Sequence, residues 1–470
     1  PKENVIREVP KVGDVVLLVG GKTGRDGCGG ATGSSKEHTE ESILTCSAEV
    51  QKGDAPTERK IQRFFRNEKV AKMIKKCNDF GAGGVCVAIG ELCDSLDIFL
   101  DLVPKKYDGL DGTEIAISES QERMAVVIDK ENLDEFIRLS NEENLMSTMV
   151  AKVTDTNYVR MFFEGETILN LKRDFIETNG VTQKTDVLVK KIDGKSIFDM
   201  RLFDETDRTN YEKVKKVMSN LNICSQKGLV EMFDSSIGAN TVLMPFGGKY
   251  QATPSLGMVC KIPVYQKEIN ISTIMTYGYN PYIAKWSPFH GAYYALIESI
   301  VKVVCIGGKY ENIRLTLQEY FEKLGQDFSK WGKPFSALLG AFHVQNNMDI
   351  PAIGGKDSMS GTFKDISVPP TLVSFAVNTV DCEDVVSNEF KKANSKVVLL
   401  KTTRLDDDTL DFESLKNNLA KVNELILNKK VLSSYSVGFG GICEAICKMS
   451  FGNKIGFRLE NDIDIYEMAY

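Results

Sequence analysis

Gly20-Gly21-Lys22-Thr23-Gly24-Arg25-Asp26-Gly27-Cys28-Gly29-Gly30-Ala31-Thr32-Gly33-Ser34-Ser35 follows the apolar run Val15-Val16-Leu17-Leu18-Val19. The run predicts a buried strand. Seven of the sixteen residues after it are glycine, which offers no side chain to pack and costs ordering entropy. A cluster this dense serves backbone geometry: a sharp turn, close approach to a ligand, and amides that converge on an anion. Arg25 adds a fork donor suited to phosphate, and Ser34 and Ser35 add hydroxyls. The stretch reads as a phosphate cradle; the plain alternative is a long surface loop. Neither common glycine loop is present. Val16 stands where a Walker A ending in Gly21-Lys22-Thr23 needs glycine, and glycines at 21, 24 and 27 do not spell GxGxxG.

A chain of 470 residues is long enough for about three domains. Its 42% hydrophobic and 26% charged residues are ordinary for a globular protein. A net charge of −7 argues against nucleic acid as the main partner, because phosphate backbones demand clustered Lys and Arg. No unbroken run of about 18 apolar residues occurs, so no membrane span is expected. The opening Pro1-Lys2-Glu3-Asn4 is polar and lacks an initiator methionine, which predicts a piece of a longer chain without a secretory signal. Eleven cysteines without CxxC pairing read as reduced, mostly buried thiols of a cytoplasmic protein. His38, His290 and His343 are too scattered for a Ser-His-Asp triad or a histidine-rich metal centre.

Along the chain, apolar Ile61, Phe64, Phe65, Val70, Met73 and Ile74 predict one helix over 61–77. Asn78 to Gly84 then stops it, and 85–92 opens another. Asp79, beside Gly81, Gly83 and Gly84, suits a metal-bridged phosphate, or a helix cap with packing glycines. Ser118-Glu119-Ser120-Gln121-Glu122-Arg123-Met124 leads into a strand over 125–128. Polar residues pressed against a buried strand need partners, either one another or a ligand. A helix over 133–141 and a strand over 149–153 continue the alternation. Residues 172–222 read as a connection carrying a helix near 211–220.

A second module opens near Gly228, with Asp234-Ser235-Ser236-Ile237-Gly238 before a strand over 241–244. A long apolar helix over 293–305 contains Glu298, and Lys302 four residues later supplies an i,i+4 partner. Pro351 to Gly361 is a second polar glycine turn, between a helix over 336–346 and a strand over 371–377. There Lys356, Asp357 and Ser358, with Gly354 and Gly355, would serve phosphate, magnesium and phosphate oxygen. Val397-Val398-Leu399-Leu400 matches Val15-Val16-Leu17-Leu18, and Gly438 to Ile446 matches Gly81 to Ile89: an internal repeat. The copy has lost its chemical residues. Lys401 to Asp406 replaces the glycine loop, Ser436 stands for Asp79, and no counterpart of 118–128 precedes Tyr470.

Together the motifs at 20–35, 78–84, 118–124, 233–238, 298 and 353–361 resemble the phosphoribosylformylglycinamidine synthase family of purine-biosynthesis ligases. GRDG and SESQERM separate that family from aminoimidazole ribonucleotide synthetase and selenophosphate synthetase. The resemblance implies a mixed α/β fold with a pseudo-twofold repeat of A-type and B-type domains. The expected division is a B-type domain at 1–205, a linker at 206–224, an A-type domain at 225–385 and a truncated B-type domain at 390–470. The family's first A-type domain and its glutaminase would lie outside this sequence, and the piece alone is not expected to turn over.

The implied reaction uses ATP to activate the amide of formylglycinamide ribonucleotide, which ammonia from glutamine converts to the amidine. Its substrate would touch Gly24, Arg25, Asp26, Gly27, Gly29, Gly30, Ser34, Ser35, Gly83, Gly84, Gln121, Glu122 and Arg123. Asp79 would be catalytic and hold Mg2+. Gly354, Gly355, Lys356, Asp357 and Ser358 would bind nucleotide, and Asp234 and Glu298 would ligate Mg2+ in a second nucleotide site. Partners would be small substrates and the protein's own missing portions, with neither nucleic acid nor membrane. Lys302 departs from the asparagine common in the family, and Ser436 and Phe439 from an aspartate pair. A lysine ammonium there would neutralise Asp234 and Glu298, leaving the second site with weak or no Mg–nucleotide binding. Two competing readings are a non-catalytic nucleotide-binding scaffold and an ATP-dependent relative of the selenophosphate synthetase or thiamine monophosphate kinase type.

Overall fold

Val15–Gly20 forms β1, and all six residues are buried. Alternate side chains of a strand point to opposite faces. Val15, Leu17 and Val19 enter one apolar cluster and Val16 and Leu18 another, so β1 is covered on both sides and reads as continuously apolar. The computed structural model describes residues 8–28, 53–178, 184–192, 194–233, 235–236, 240–264, 268–460 and 463–467. The chain divides into two compact units, Pro1–Thr185 and Asp186–Tyr470.

In the first unit β1 is followed by α1 (Ala55–Phe65), α2 (Glu68–Met73), β2 (Lys76–Asp79), α3 (Gly84–Ala88) and β3 (Leu96–Phe99). Then come α4 (Gly112–Ile117), β4 (Arg123–Ile128), α5 (Leu133–Glu142) and β5 (Ser147–Val153). β6 (Tyr158–Phe163), β7 (Glu166–Lys172) and α6 (Arg173–Thr178) complete it. The sheet order is β2-β4-β1-β5-β3-β6-β7, antiparallel except for β3 beside β6. The single helix expected over 61–77 is therefore two helices and a strand. Asn67 accepts from Lys69 N at 3.0 Å and caps a new start, and Lys76–Asp79 leaves helix to pair with β4, Cys77 opposite Val126. Sheet pairing overrides local helical periodicity here. The helix expected over 85–92 likewise ends at Ala88.

The second unit begins with α7 (Asn210–Met218), α8 (Lys227–Val230), β8 (Thr241–Leu243), β9 (Phe246–Gly247) and β10 (Thr253–Pro254). β11 (Gly257–Lys261), β12 (Ile271–Gly278), α9 (Pro281–Trp286), α10 (Pro288–Ile306) and β13 (Arg314–Tyr320) follow. Next are α11 (Phe328–Met348), β14 (Ala352–Lys356), β15 (Thr362–Phe363), β16 (Ile366–Ser367) and β17 (Thr371–Asp381). The last helices are α12 (Phe412–Leu427) and α13 (Gly441–Phe451). Its main sheet runs β14-β13-β17-β12-β11-β8. Among the described residues α10 alone is long and apolar enough to cross a membrane by length and composition, a feature the search for unbroken apolar runs missed, and most of it is buried in the unit. Phe198, Val217 and Ile223 join its core cluster, so parts of 186–224 pack as core of this unit.

Two expectations fail here. Pro351–Gly361 is not a glycine turn: Ala352–Lys356 is an edge strand paired parallel to β13, with Leu317 opposite Gly355. The second copy of the apolar run, 397–400, forms no strand and is exposed; no counterpart of β4 or β5 pairs with it among the described residues. The other half of the repeat is structural as well as sequential. Gly84 and Gly441 each open a helix at positive φ, 54° and 64°.

Candidate functional site

Three strand ends meet at one edge of the first unit's sheet. Gly20 lies opposite Arg123 and Asp79 opposite Met124, which sets the glycine loop, the 78–84 turn and the 118–123 segment side by side. Gly20 has φ +117°, and a Cβ there would sit 2.2 Å from Glu122 O. Only glycine passes that close. Glu122 itself has φ 55°.

The polar residues before β4 find partners in the loop. The Ser118 hydroxyl donates to Gly24 O at 2.5 Å, and the Ser120 hydroxyl to Asp26 Oδ2 at 2.5 Å. Lys106 Nζ reaches the same Asp26 oxygen at 2.6 Å, and Glu119 N donates to Asp26 O at 2.7 Å. Arg123 is buried beneath them. It donates from Nε to Ser120 O at 2.7 Å, from Nη1 to Thr23 Oγ1 at 2.6 Å and from Nη2 to Ser118 O at 2.8 Å. Burial pulls its guanidinium down to about 10, against the opposing pull of Asp26. Glu119 Oε1 accepts from Gly83 N at 3.2 Å, linking the 78–84 turn to the same knot. Gln121 Nε2 donates to Glu119 O at 3.2 Å.

This geometry revises the cradle. The amides of Gly21, Thr23, Gly24 and Arg25 donate to Glu122 O, Pro104 O, Ser120 Oγ and Tyr107 Oη at 2.9, 2.7, 2.9 and 2.7 Å. The first part of the loop is thus strapped to the protein rather than open to an anion. Arg25 pairs with Glu114, Nε to Oε1 at 2.5 Å, and Nη2 donates to Gly109 O at 2.8 Å. Its hydrogen bonds and charge contact with Glu114 raise it above the ordinary arginine value. Arg123 is likewise committed inside the fold, so it positions the loop. Gly29, Gly30, Ser34, Ser35 and Asp234 lie outside the described residues. Lys106, Tyr107 and Glu114 were missed by sequence reasoning, because nothing local marks residues that reach back some eighty positions.

A cavity of ≈ 360 Å3 opens beside the strap, where Lys22, Asp54, Thr57, Lys106 and Asn144 line it. Asp79 is exposed at the end of β2, and Gly81 passes so near that a Cβ there would lie 3.1 Å from Asp79 Oδ2. Among the described residues no three His, Cys, Asp or Glu side chains cluster as a metal site. A lone carboxylate still suits Mg2+, which keeps several waters and leans on substrate phosphates.

In the second unit Lys302 Nζ lies 2.6 Å from Glu298 Oε1, while Tyr279 N donates to Oε2 at 3.2 Å. Lys302 also donates to Tyr277 O at 2.9 Å. Burial works against its ammonium, but Glu298 and Tyr277 hold it above the ordinary lysine value. With both oxygens taken by protein donors, Glu298 does not fit a magnesium ligand. Gly354, Gly355, Lys356 and Asp357 are exposed along or just after β14, and Ser358 N donates to Glu319 O at 3.2 Å. Glu319, another residue the sequence reading passed over, is buried on β13. Burial, reinforced by Asp357, pushes its carboxyl up to about 7.

Comparison with known proteins agrees with this architecture. Residues 11–164 match the family model of AIR synthase related protein, C-terminal domain. Phosphoribosylformylglycinamidine synthase subunit PurL of Thermoplasma acidophilum is 24% identical over 476 residues, covering 96% of this chain and 60% of the relative. The PurL subunit of Prochlorococcus marinus (strain AS9601) is 25% identical over 512 residues, with 99% and 64% covered. The chain thus spans less than two thirds of the length of these curated relatives. Among solved structures, T. maritima PurL complexed with ATP superposes with a TM-score of 0.68 at 20% identity, covering 95% of this chain and 65% of that one. The same protein complexed with FGAR gives 0.68, with 94% and 66% covered. At this identity the likeness shows the fold: a mixed α/β architecture of the AIR synthase type with repeated domains. Fold, motif order and relatives point the same way: residues 11–164 match the AIR synthase related C-terminal domain, and the chain over nearly its whole length is similar to PurL subunits of phosphoribosylformylglycinamidine synthase.

Proposed function

We propose that this chain is the synthetase portion of an ATP-dependent C–N ligase of purine biosynthesis, acting in the cytoplasm. It takes formylglycinamide ribonucleotide, ATP and ammonia derived from glutamine to formylglycinamidine ribonucleotide, ADP and phosphate. The observation that carries this reading is the knot of Ser118, Glu119, Ser120 and Arg123 under the glycine strap. That knot spends an arginine and two buried hydroxyls on fixing one loop next to Asp79, which a scaffold without a reacting ligand has no use for. Relatives named for the same synthase align over nearly the whole chain.

In this reading the loop from Asp26 onward and the Gly83–Gly84 turn hold the ribonucleotide, with Gln121 and Glu122 at the rim. Asp79 would hold Mg2+, which supplies charge neutralisation on the polyphosphate when bound. Lys356, Asp357 and Ser358, with Gly354 and Gly355, would contact nucleotide from β14. The family layout of B-type 1–205, A-type 225–385 and B-type 390–470 segments is proposed alongside, as is a separate glutaminase partner.

Isothermal titration of the full chain with formylglycinamide ribonucleotide, with and without Mg–ATP, tests the reading. Saturable binding that Asp79→Asn makes insensitive to Mg–ATP supports it. Arg25→Ala should weaken ribonucleotide binding at least about tenfold if its ion pair opens toward the sugar phosphate. Absence of ribonucleotide binding at millimolar concentration would sink the assignment.

A further inference from the structure

The Arg25 side chain is half exposed, yet the residue is held by four hydrogen bonds. Its backbone amide donates to Tyr107 Oη at 2.7 Å. Nε donates to Glu114 Oε1 at 2.5 Å, and Nη2 to Glu114 Oε2 at 3.1 Å and to Gly109 O at 2.8 Å. Every N–H of that edge of the guanidinium is engaged, while Nη1 donates to no group among the described residues. An exposed arginine ordinarily keeps its rotamer freedom, and an exposed ion pair contributes little against that entropy. The anchorage therefore adds little to the core. What it does is fix a planar fork with one edge still open to an acceptor.

Glu114 is fixed in its turn. It is the third residue of α4, which Asp111 caps: Glu114 N donates to Asp111 Oδ1 at 2.8 Å, and Asp111 N donates to Glu114 Oε2 at 3.1 Å. This reciprocal cap ties the carboxylate to the first turn of the helix. The hydrogen bonds from Arg25 and from the Asp111 amide hold its carboxyl below the ordinary glutamate value, so it stays ionised at neutral pH. Orientation thus passes from the helix cap to Glu114, and from Glu114 to Arg25.

We propose that Glu114 is a positioning residue, which sets the open Nη1 edge of Arg25 to receive the phosphate monoester of the ribonucleotide. The inference rests on the ligase reading above and adds to it the residue that aims the fork. The ion pair stays closed when ligand arrives, because carboxylate and phosphate use different edges of one guanidinium. Glu114 reduces the net charge that the phosphate meets. In exchange Arg25 has little rotamer freedom left to lose on binding.

The test is isothermal titration of the full chain with formylglycinamide ribonucleotide. Arg25→Ala should weaken binding at least about tenfold, as loss of a charged hydrogen bond does. Glu114→Gln leaves an oxygen for the Asp111 amide and so keeps the cap. It should weaken binding about threefold or more, and the double variant should bind no more weakly than Arg25→Ala, since Glu114 acts only through Arg25. The ribonucleoside that lacks the phosphate, titrated alongside, should not distinguish Glu114→Gln from the parent. Unchanged or tighter ribonucleotide binding by Glu114→Gln overturns the proposal. So does a double variant whose loss is the product of the two single losses, or an equal loss of ribonucleoside binding, either of which would make the effect of Glu114 one on the fold. Absence of ribonucleotide binding by the parent chain is a different result: it removes the ligase reading itself, and this inference with it.

Discussion

Arg123 stacks its guanidinium 4.2 Å from the centre of the Phe80 ring, bringing the start of β4 against the residue that follows β2. The contact fixes the plane of a buried fork whose nitrogens reach Thr23, Ser118 and Ser120. Arg123→Ala leaves those acceptors buried without a donor and should cost about 3–5 kcal/mol. Arg123→Lys keeps a charge but cannot serve three divergent acceptors, and should recover only part of the loss. Urea unfolding followed through exchange of the β1 and β4 amides reads both. Equal stability of Arg123→Ala and the parent would show that the knot is ornamental.

Gly84 carries φ +54°, and a Cβ there would lie 2.3 Å from Ser118 O. Gly109 carries φ +87° with nothing within 4 Å. Gly109→Ala should therefore lose only the left-handed strain, about 1–2 kcal/mol. Gly84→Ala adds a backbone collision and must push the 118–120 segment off the loop. It should cost more stability and also weaken ribonucleotide binding in titration. Equal effects of the two substitutions would mean that Ser118 has room to retreat.

Glu319 gives the second unit a pH signature. Its folded carboxyl lies at about 7, above the ordinary 4.5, because burial and then Asp357 oppose its charge. The folded state therefore holds the proton more tightly than the unfolded chain. The stability this contributes is complete below the unfolded value and is lost as pH rises through about 7. Glu319→Gln should raise stability by about 2–3 kcal/mol at alkaline pH and much less at about pH 4.5. Denaturant midpoints across that range measure it, and a pH-independent difference would contradict the assignment.

Lys302 and Glu298 form a partly buried pair that occupies its own site. Lys302→Met leaves the carboxylate with the Tyr279 amide but no cation, and should cost about 1–3 kcal/mol. Pairing it with Glu298→Leu should restore most of that, since an apolar pair of similar volume avoids the desolvation cost. Glu298→Gln should leave unchanged whatever rise Mg–ADP gives in the unfolding temperature of the parent chain. A metal-dependent rise that Glu298→Gln abolishes would reverse the assignment of Lys302 as the resident cation.

How far these features were legible depends on where their partners lie in the sequence. The Val15–Val19 strand and the Glu298–Lys302 pair declare themselves within a few residues, and both stand as read. The demand of Ser118–Arg123 for partners was also visible, since polar residues against a buried strand must be satisfied. The identity of those partners was not: Ser118 bonds to Gly24 across a separation of 94 residues. The same loop shows how composition misleads. Its glycines promise open amides, yet the Gly21 and Gly24 N–H groups are bonded to Glu122 O and Ser120 Oγ, and Gly20 is needed where Glu122 O comes within 2.2 Å of a would-be Cβ. Residues 61–77 and 351–361 erred for a related reason, because a strand's partner decides whether an ambiguous stretch joins a sheet.

The unpaired apolar stretch at 397–400 has a practical corollary. Val398 is 76% exposed, and Val397, Leu399 and Leu400 are exposed beside it. Extended aliphatic backbone with open N–H and C=O groups is a template for intermolecular ladders. Concentrated solutions of this chain should therefore self-associate through that segment, and a lysine at position 398 should keep them clear.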